Sequence, residues 1–141
     1  MAKLLALDLG DKWVGTALSD ETQIIAHPHK TVKAHELAIF LQELFARETI
    51  EVVILGYPKT MRGLHSAQTE KILAQKEQLV HEYPAITWIL WDERLSSQRA
   101  KSIGTIKTKE DKQKSHSIAA AFILDSYLNY LSLQKALKKH F

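Results

Sequence analysis

Short apolar runs, each closed by turn residues, alternate along this chain with stretches whose apolar positions recur every three or four residues. Leu4-Leu5-Ala6-Leu7 is uninterrupted, and Lys3 to Leu9 reads as a buried strand. Trp13 to Ser19 reads as a second strand, and Gly10-Asp11-Lys12 between them as a hairpin turn. Gln23 to Thr31 is expected to add a third antiparallel strand. Pro28 places it at an edge, because proline brings no N–H to a ladder. Leu37, Phe40, Leu41, Leu44 and Phe45 fall at helical spacing and predict an amphipathic helix from Ala34 to Glu48. Val52 to Leu55 is a fourth strand, closed by Gly56-Tyr57-Pro58. A polar loop through Gly63 leads into a helix from Ser66 to Tyr83, stopped by Pro84. Ile86 to Trp91 is a fifth strand with Asp92 and Glu93 at its carboxyl end. Ser96 or Ser97 would cap a short helix fading by Gly104, Thr105 to Lys114 reads as a mobile polar connection, and a last helix runs from Ser115 to Ser132.

The order is an antiparallel meander of strands 1 to 3 followed by alternating helices and strands, which makes strands 4 and 5 parallel. The expectation is an α/β protein with a five-stranded mixed sheet flanked by helices. Residues 1–134 form one domain and 135–141 a basic C-terminal tail. In such sheets the ligand site lies beyond the carboxyl ends of the strands, where the winding reverses. Asp8 and Glu93 both sit at carboxyl ends.

Composition narrows the class. At 141 residues, 45% hydrophobic and 25% charged, the chain is large enough for a proper core and has no apolar stretch near the roughly 18 residues of a membrane span. No cysteine is present, which excludes disulfides and thiolate metal sites. With no secretory pattern at the N-terminus, the expected location is the cytoplasm, with no membrane partner. The net charge of +3 is uneven: from Lys101 onward eight lysines face three acids, whereas the first hundred residues carry a slight acidic excess. A basic segment beside an acidic centre is what a polyanion-handling protein needs.

The candidate chemistry rests on three residues. A carboxylate at the end of a buried strand is costly unless a cation or hydrogen bonds compensate its desolvation, and Asp8 is such a residue. Asp8, Glu93 and His116 together could hold a hard divalent cation, Mg²⁺ or Mn²⁺, for phosphodiester cleavage. His116 is read as opening the last helix, where a helix N-terminus would favour its neutral form as ligand or base. Asp92 falls on the opposite strand face from Glu93 and is read as structural, as are Asp11, Asp20 and Asp125. His27 and His29 share a face without ligand spacing, and Trp88 and Trp91 are read as core residues.

Leu5-Ala6-Leu7-Asp8-Leu9-Gly10 with Gly15, Gly56-Tyr57-Pro58 with Met61 and Gly63, Asp92-Glu93-Arg94-Leu95-Ser96-Ser97, and Lys112-Gln113-Lys114 leading into Ala119-Ala120 occur in this order. Together they resemble the YqgF-type family of pre-16S ribosomal RNA nucleases, also described as Holliday-junction-resolvase-like, over essentially the whole chain. The resemblance implies a ribonuclease H-like fold and a metal-dependent hydrolase that processes the 5′ end of pre-16S rRNA in ribosome biogenesis. It also implies that Asp8 and Glu93 are metal ligands. The family's third acid, an aspartate three residues before the paired alanines, is replaced here by His116. Related RuvC-like nucleases place a histidine near this point, so a changed metal preference or pH dependence and a loss of catalysis both stay open. After Gly56 the family reads Leu-Pro-Leu-Asn-Met-Asp-Gly, and here Lys59, Thr60 and Arg62 replace Leu, Asn and Asp, making the loop more basic.

The leading expectation is therefore a nuclease acting on structured RNA, free or in a pre-ribosomal particle. Arg94, Lys112, Lys114, Lys59 and Arg62 would contact phosphates, with recognition by shape and backbone. A Holliday-junction resolvase acting on branched DNA is an alternative. So is a non-catalytic nucleic-acid-binding factor of ribosome assembly or transcription that lost turnover through His116. The strand-Asp-x-Gly hairpin also opens sugar kinases and actin-like ATPases, whose second lobe a chain of this length does not accommodate. Monomer and dimer are equally compatible with the pattern.

Overall fold

The computed structural model describes residues 2–10, 12–57, 67–92 and 109–139; at 57, 67–69, 109–114 and 139 the description covers the backbone alone. The elements are β1 (Lys3–Leu9), β2 (Trp13–Ser19), β3 (Ala26–Lys33), a 3₁₀ turn (Ala34–Glu36), α1 (Leu37–Arg47), β4 (Ile50–Tyr57), α2 (Ala67–Glu82), β5 (Thr87–Asp92) and α3 (Lys109–Lys139). The sheet order is β3-β2-β1-β4-β5. β1 pairs antiparallel with β2 and parallel with β4, β2 pairs antiparallel with β3, and β4 pairs parallel with β5. The five-stranded mixed α/β sheet is the expected one, and β3, which carries Pro28, is at its edge.

Alternation along β1 divides the core in two. Leu5, Leu7 and Leu9 face a layer formed by α1 and α2, with Phe40, Leu41, Leu44, Ile72 and Leu79. Leu4 and Ala6 face α3, where Ala17, Ile54, Ala120, Ile123, Leu124, Tyr127 and Leu128 complete the second layer. Ala6, Ala17 and Ala120 are all fully buried, so small side chains on both surfaces let helix and sheet approach closely. Both tryptophans of β5 are packing residues. Trp88 is buried against Phe45 and Tyr83, and Trp91 stacks edge-on against Tyr127 and donates through Nε1 to Ser126 Oγ at 3.1 Å.

Side chains finish what the strands leave open. β2 and β3 slip register between Gly15 and Ala17. There the buried Thr16 Oγ1 donates to the Lys30 carbonyl at 2.7 Å and accepts from the Lys30 N–H at 2.9 Å, replacing the lost ladder bonds. In the following turn Asp20 accepts the N–H groups of Ile25 and Ile24 and the Thr22 hydroxyl, which hold its carboxyl well below the usual carboxylate range. Gln23 takes a left-handed φ of 59° in that turn. Asp20 thus has the loop role expected of it.

α3 departs from expectation at both ends. It begins at Lys109 rather than Ser115 and continues to Lys139 rather than Ser132, through position 135 where the tail was expected to start. No apolar period marks 109–114, so the hydrophobic pattern does not announce the first turns. Beyond Ser132 every described side chain is exposed, and good helix formers (Leu, Gln, Lys, Ala) carry the coil on without the sheet. The expected short helix after Ser96 and the loop through Gly63 lie outside the described residues.

His29 on β3 lies against Phe40, ring centroids 5.9 Å apart, and its buried Nε2 has no hydrogen-bond partner among the described residues. Burial, with repulsion from Lys30 and Arg47, pushes its pKa below the ordinary 6.5. Protonation is therefore easier in the unfolded chain. Native stability is fully present above pH 6.5 and falls as the pH drops from there toward the native-state pKa. Replacing His29 with Leu should flatten the pH dependence of the urea midpoint between about pH 7.5 and 5.5. An unchanged slope in His29→Leu would contradict this assignment.

Candidate active site

The site is built on a single row across the sheet. Asp8 pairs in register with Gly15 on β2 and with Gly56 on β4, and Gly56 pairs with Trp91 on β5. Directly paired residues share a face, and Ala6 with its partners Ala17 and Ile54 identifies that face as the one α3 covers. Asp8 is thus a half-buried carboxylate on the helix-bearing face with no side chain beside it on either neighbouring strand. Two residues on, Gly10 closes the hairpin: its N–H donates to the Trp13 carbonyl at 3.0 Å, and a Cβ at Gly10 would lie 2.6 Å from that oxygen.

α3 reaches this row through its backbone. A Cβ on Gly15 would stand 1.9 Å from the His116 carbonyl oxygen and 2.8 Å from the Ser117 nitrogen, so only glycine permits the seating. With paired Cα atoms about 5 Å apart, the His116 carbonyl lies within roughly 9 Å of the Asp8 Cα. Residues 8 and 116 are thereby brought to one place from opposite ends of the chain. His116 itself is half-buried and is the eighth residue of α3, two turns inside the helix rather than at its start. The argument from the helix N-terminus therefore fails, because that field fades within the first turn. Ser117 is buried beneath it.

The remaining expected site residues divide by where they fall. Glu93, Arg94, Lys59 and Arg62 lie outside the described residues. Lys112 and Lys114 are on the first two turns of α3, on the same side of His116 along the chain, with their side chains outside the description. Asp92 pairs with Tyr57 and alternates with Trp91, so it faces away from the Asp8 row. Among the described residues no group of three His, Asp or Glu converges as a metal cluster. Asp8 nevertheless suits a hard divalent cation, because it offers charged oxygen donors in a row that two glycines clear of side chains. The significance of that clearing went unread in the sequence, although both glycines stood in the motifs.

The RuvX family, described as Holliday junction resolvase, matches residues 2–130. This chain belongs to the RuvX family. Its relatives include a protein of Onion yellows phytoplasma, 38% identical over 92% of this chain and 90% of its own length, and one of Rubrobacter xylanophilus, 31% identical over 89% and 91%. Both carry the name "Putative pre-16S rRNA nuclease". Among solved structures, Thermus thermophilus RuvC in complex with a Holliday junction substrate superposes with a TM-score of 0.62 at 17% identity, covering 95% of this chain and 97% of RuvC. A second RuvC structure from the same organism gives 0.54 at 15% identity. These likenesses show the shared ribonuclease H-like fold.

Gly15→Ala tests the seating. It should destabilise the protein by about 2 kcal/mol or more through overpacking against helix backbone, read as a lowered urea midpoint. A midpoint within error of wild type would mean that α3 does not rest there.

Proposed function

We propose that this RuvX-family chain is a cytoplasmic nuclease that hydrolyses phosphodiester bonds with a divalent cation, Mg²⁺ or Mn²⁺, and processes the 5′ end of pre-16S ribosomal RNA. The observation that carries the reading is the Asp8 row, where one strand-borne carboxylate stands between two glycines under the backbone of residue 116. The names borne by relatives 31% and 38% identical over about nine-tenths of this chain support the substrate.

Asp8 would hold the cation through its carboxylate. Glu93, in phase with Ile89 and Trp91 along the sequence, would be the second ligand. A cation bound there would neutralise the scissile phosphate and acidify a water. The His116 imidazole, through an unprotonated ring nitrogen, would complete the ligand set or accept the proton of the attacking water. A strand-borne ligand such as Asp8 is held more rigidly than a loop-borne one. Arg94, Lys112, Lys114, Lys59 and Arg62 would contact the phosphate backbone and make binding steeply salt-dependent. Residues 1–134 would act as one nuclease domain, with the basic stretch after it adding attraction.

A second reading has its own observation. Histidine stands at 116 where the family pattern has an acid, so the chain could bind nucleic acid without cutting it. Asp8→Asn and Glu93→Gln should each reduce metal-dependent cleavage of a pre-16S rRNA fragment by at least about 100-fold while leaving the unfolding midpoint near wild type. Undiminished cleavage by either variant would remove the site assignment. A four-way DNA junction assayed beside the RNA separates the two substrate classes. His116→Asp should lower cleavage if the histidine works, whereas a gain of cutting marks the wild-type chain as the binding factor.

A further inference from the structure

We infer that the β1–β2 hairpin carries a subsite for an unpaired nucleotide, in which the Trp13 indole stacks on the base and Lys12 and Lys33 hold flanking phosphates. The inference rests on the nucleic-acid reading above and extends it to how a strand is held.

An open cleft of about 420 Å³ lies at the hairpin end of the sheet, lined by Lys12, Trp13, Lys33, Ala34 and His35. Its geometry is fixed by backbone: Trp13 pairs with Lys33 across the β2–β3 ladder, and the Ala34 N–H donates to the Lys12 carbonyl at 2.9 Å. Trp13 is half-buried, yet it is the one tryptophan that makes no contact with another aromatic ring among the described residues. Trp88 and Trp91 each pack on two rings. Lys12 and Lys33 are exposed, and neither has a carboxylate within 4.0 Å among the described residues. His35 is exposed and faces Glu36 at 3.8 Å, a contact that joins charges only when the ring is protonated. The cleft therefore brings two exposed lysines beside an indole that packs on no other ring among the described residues.

Its position relates it to the candidate active site. Trp13 is two residues before Gly15 on β2 and shares its face by alternation, and Gly15 is the register partner of Asp8. Two residues along a strand and one strand across place the Trp13 and Asp8 Cα atoms on the order of 9 Å apart. That is roughly two or three nucleotides of a stacked strand. An aromatic face with flanking lysines is the chemistry by which single strands are held without sequence preference, since every base has a π-face and every nucleotide a phosphate.

The test measures binding rather than cutting, in EDTA, with two probes of equal length and charge: a short unpaired oligoribonucleotide and its fully abasic counterpart. Wild type should bind the base-bearing probe about ten-fold tighter and show quenched tryptophan emission on binding. Trp13→Ala should abolish the preference, and Trp13→Phe should retain most of it without the quenching. Lys12→Gln and Lys33→Gln should each lower the salt slope by about 0.7 for both probes. Equal affinity of wild-type protein for the two probes overturns the subsite, and that comparison needs no variant to fold. Cleavage of the pre-16S fragment, assayed in parallel with metal, separates the failures. Cutting without a base preference sinks the subsite alone, whereas no binding to either probe sinks the nucleic-acid reading with it.

Discussion

At Gly15 two backbones meet with no side chain between them. The carbonyl of His116 and the nitrogen of Ser117 occupy the space a Cβ would need, so the depth at which α3 sits on the sheet is set by hard-sphere contact. Ala17, Ala6 and Ala120 continue that close approach along the same face and give the helix its apolar footing. Hydrophobic burial drives the layer together, but it is non-directional. The glycine supplies position. Because Asp8 is the register partner of Gly15, the contact that docks the helix also decides what lies near the carboxylate.

The surroundings of the site divide the labour between rigid and charged parts. Asp8 is carried by the central strand of the sheet, hydrogen-bonded on both sides and backed by fully buried leucines at positions 5 and 7. Lys12 on the hairpin and Lys33 at the end of β3 are exposed at the same end of the sheet. A carboxylate repels phosphate at long range. Cations exposed at the same end of the sheet offset part of that repulsion without neutralising the carboxylate itself.

How much of this is legible in sequence follows from which signals are local. β1 and β2 are read to the residue, because a continuous apolar run bounded by Gly10 and a second run ending at Asp20 leave little freedom. The edge position of β3 follows from Pro28 alone. The start of α3 is not legible, since Lys109 to Lys114 has no apolar face. Its end is not either, because helix propensity carries the coil past the last buried residue. Asp8 stands out in the sequence as a candidate, from its buried strand and the glycine that follows. The role of Gly15 and Gly56 does not, because which residues flank Asp8 depends on register. Trp13 looks like any strand-start aromatic until its lack of ring partners among the described residues is seen beside the packed Trp88 and Trp91.

The slip beside Thr16 has a consequence for the edge strand as a whole. Ala26 packs with the α3 layer and Val32 with the α1 layer, although six positions separate them and strict alternation would send both to one side. The extra residue acts as a half-step phase change, letting one strand serve the two layers in succession. It also turns the imidazole of position 29 toward Phe40, so the burial of a nitrogen unpartnered among the described residues is the toll of that phase change rather than a defect of local sequence.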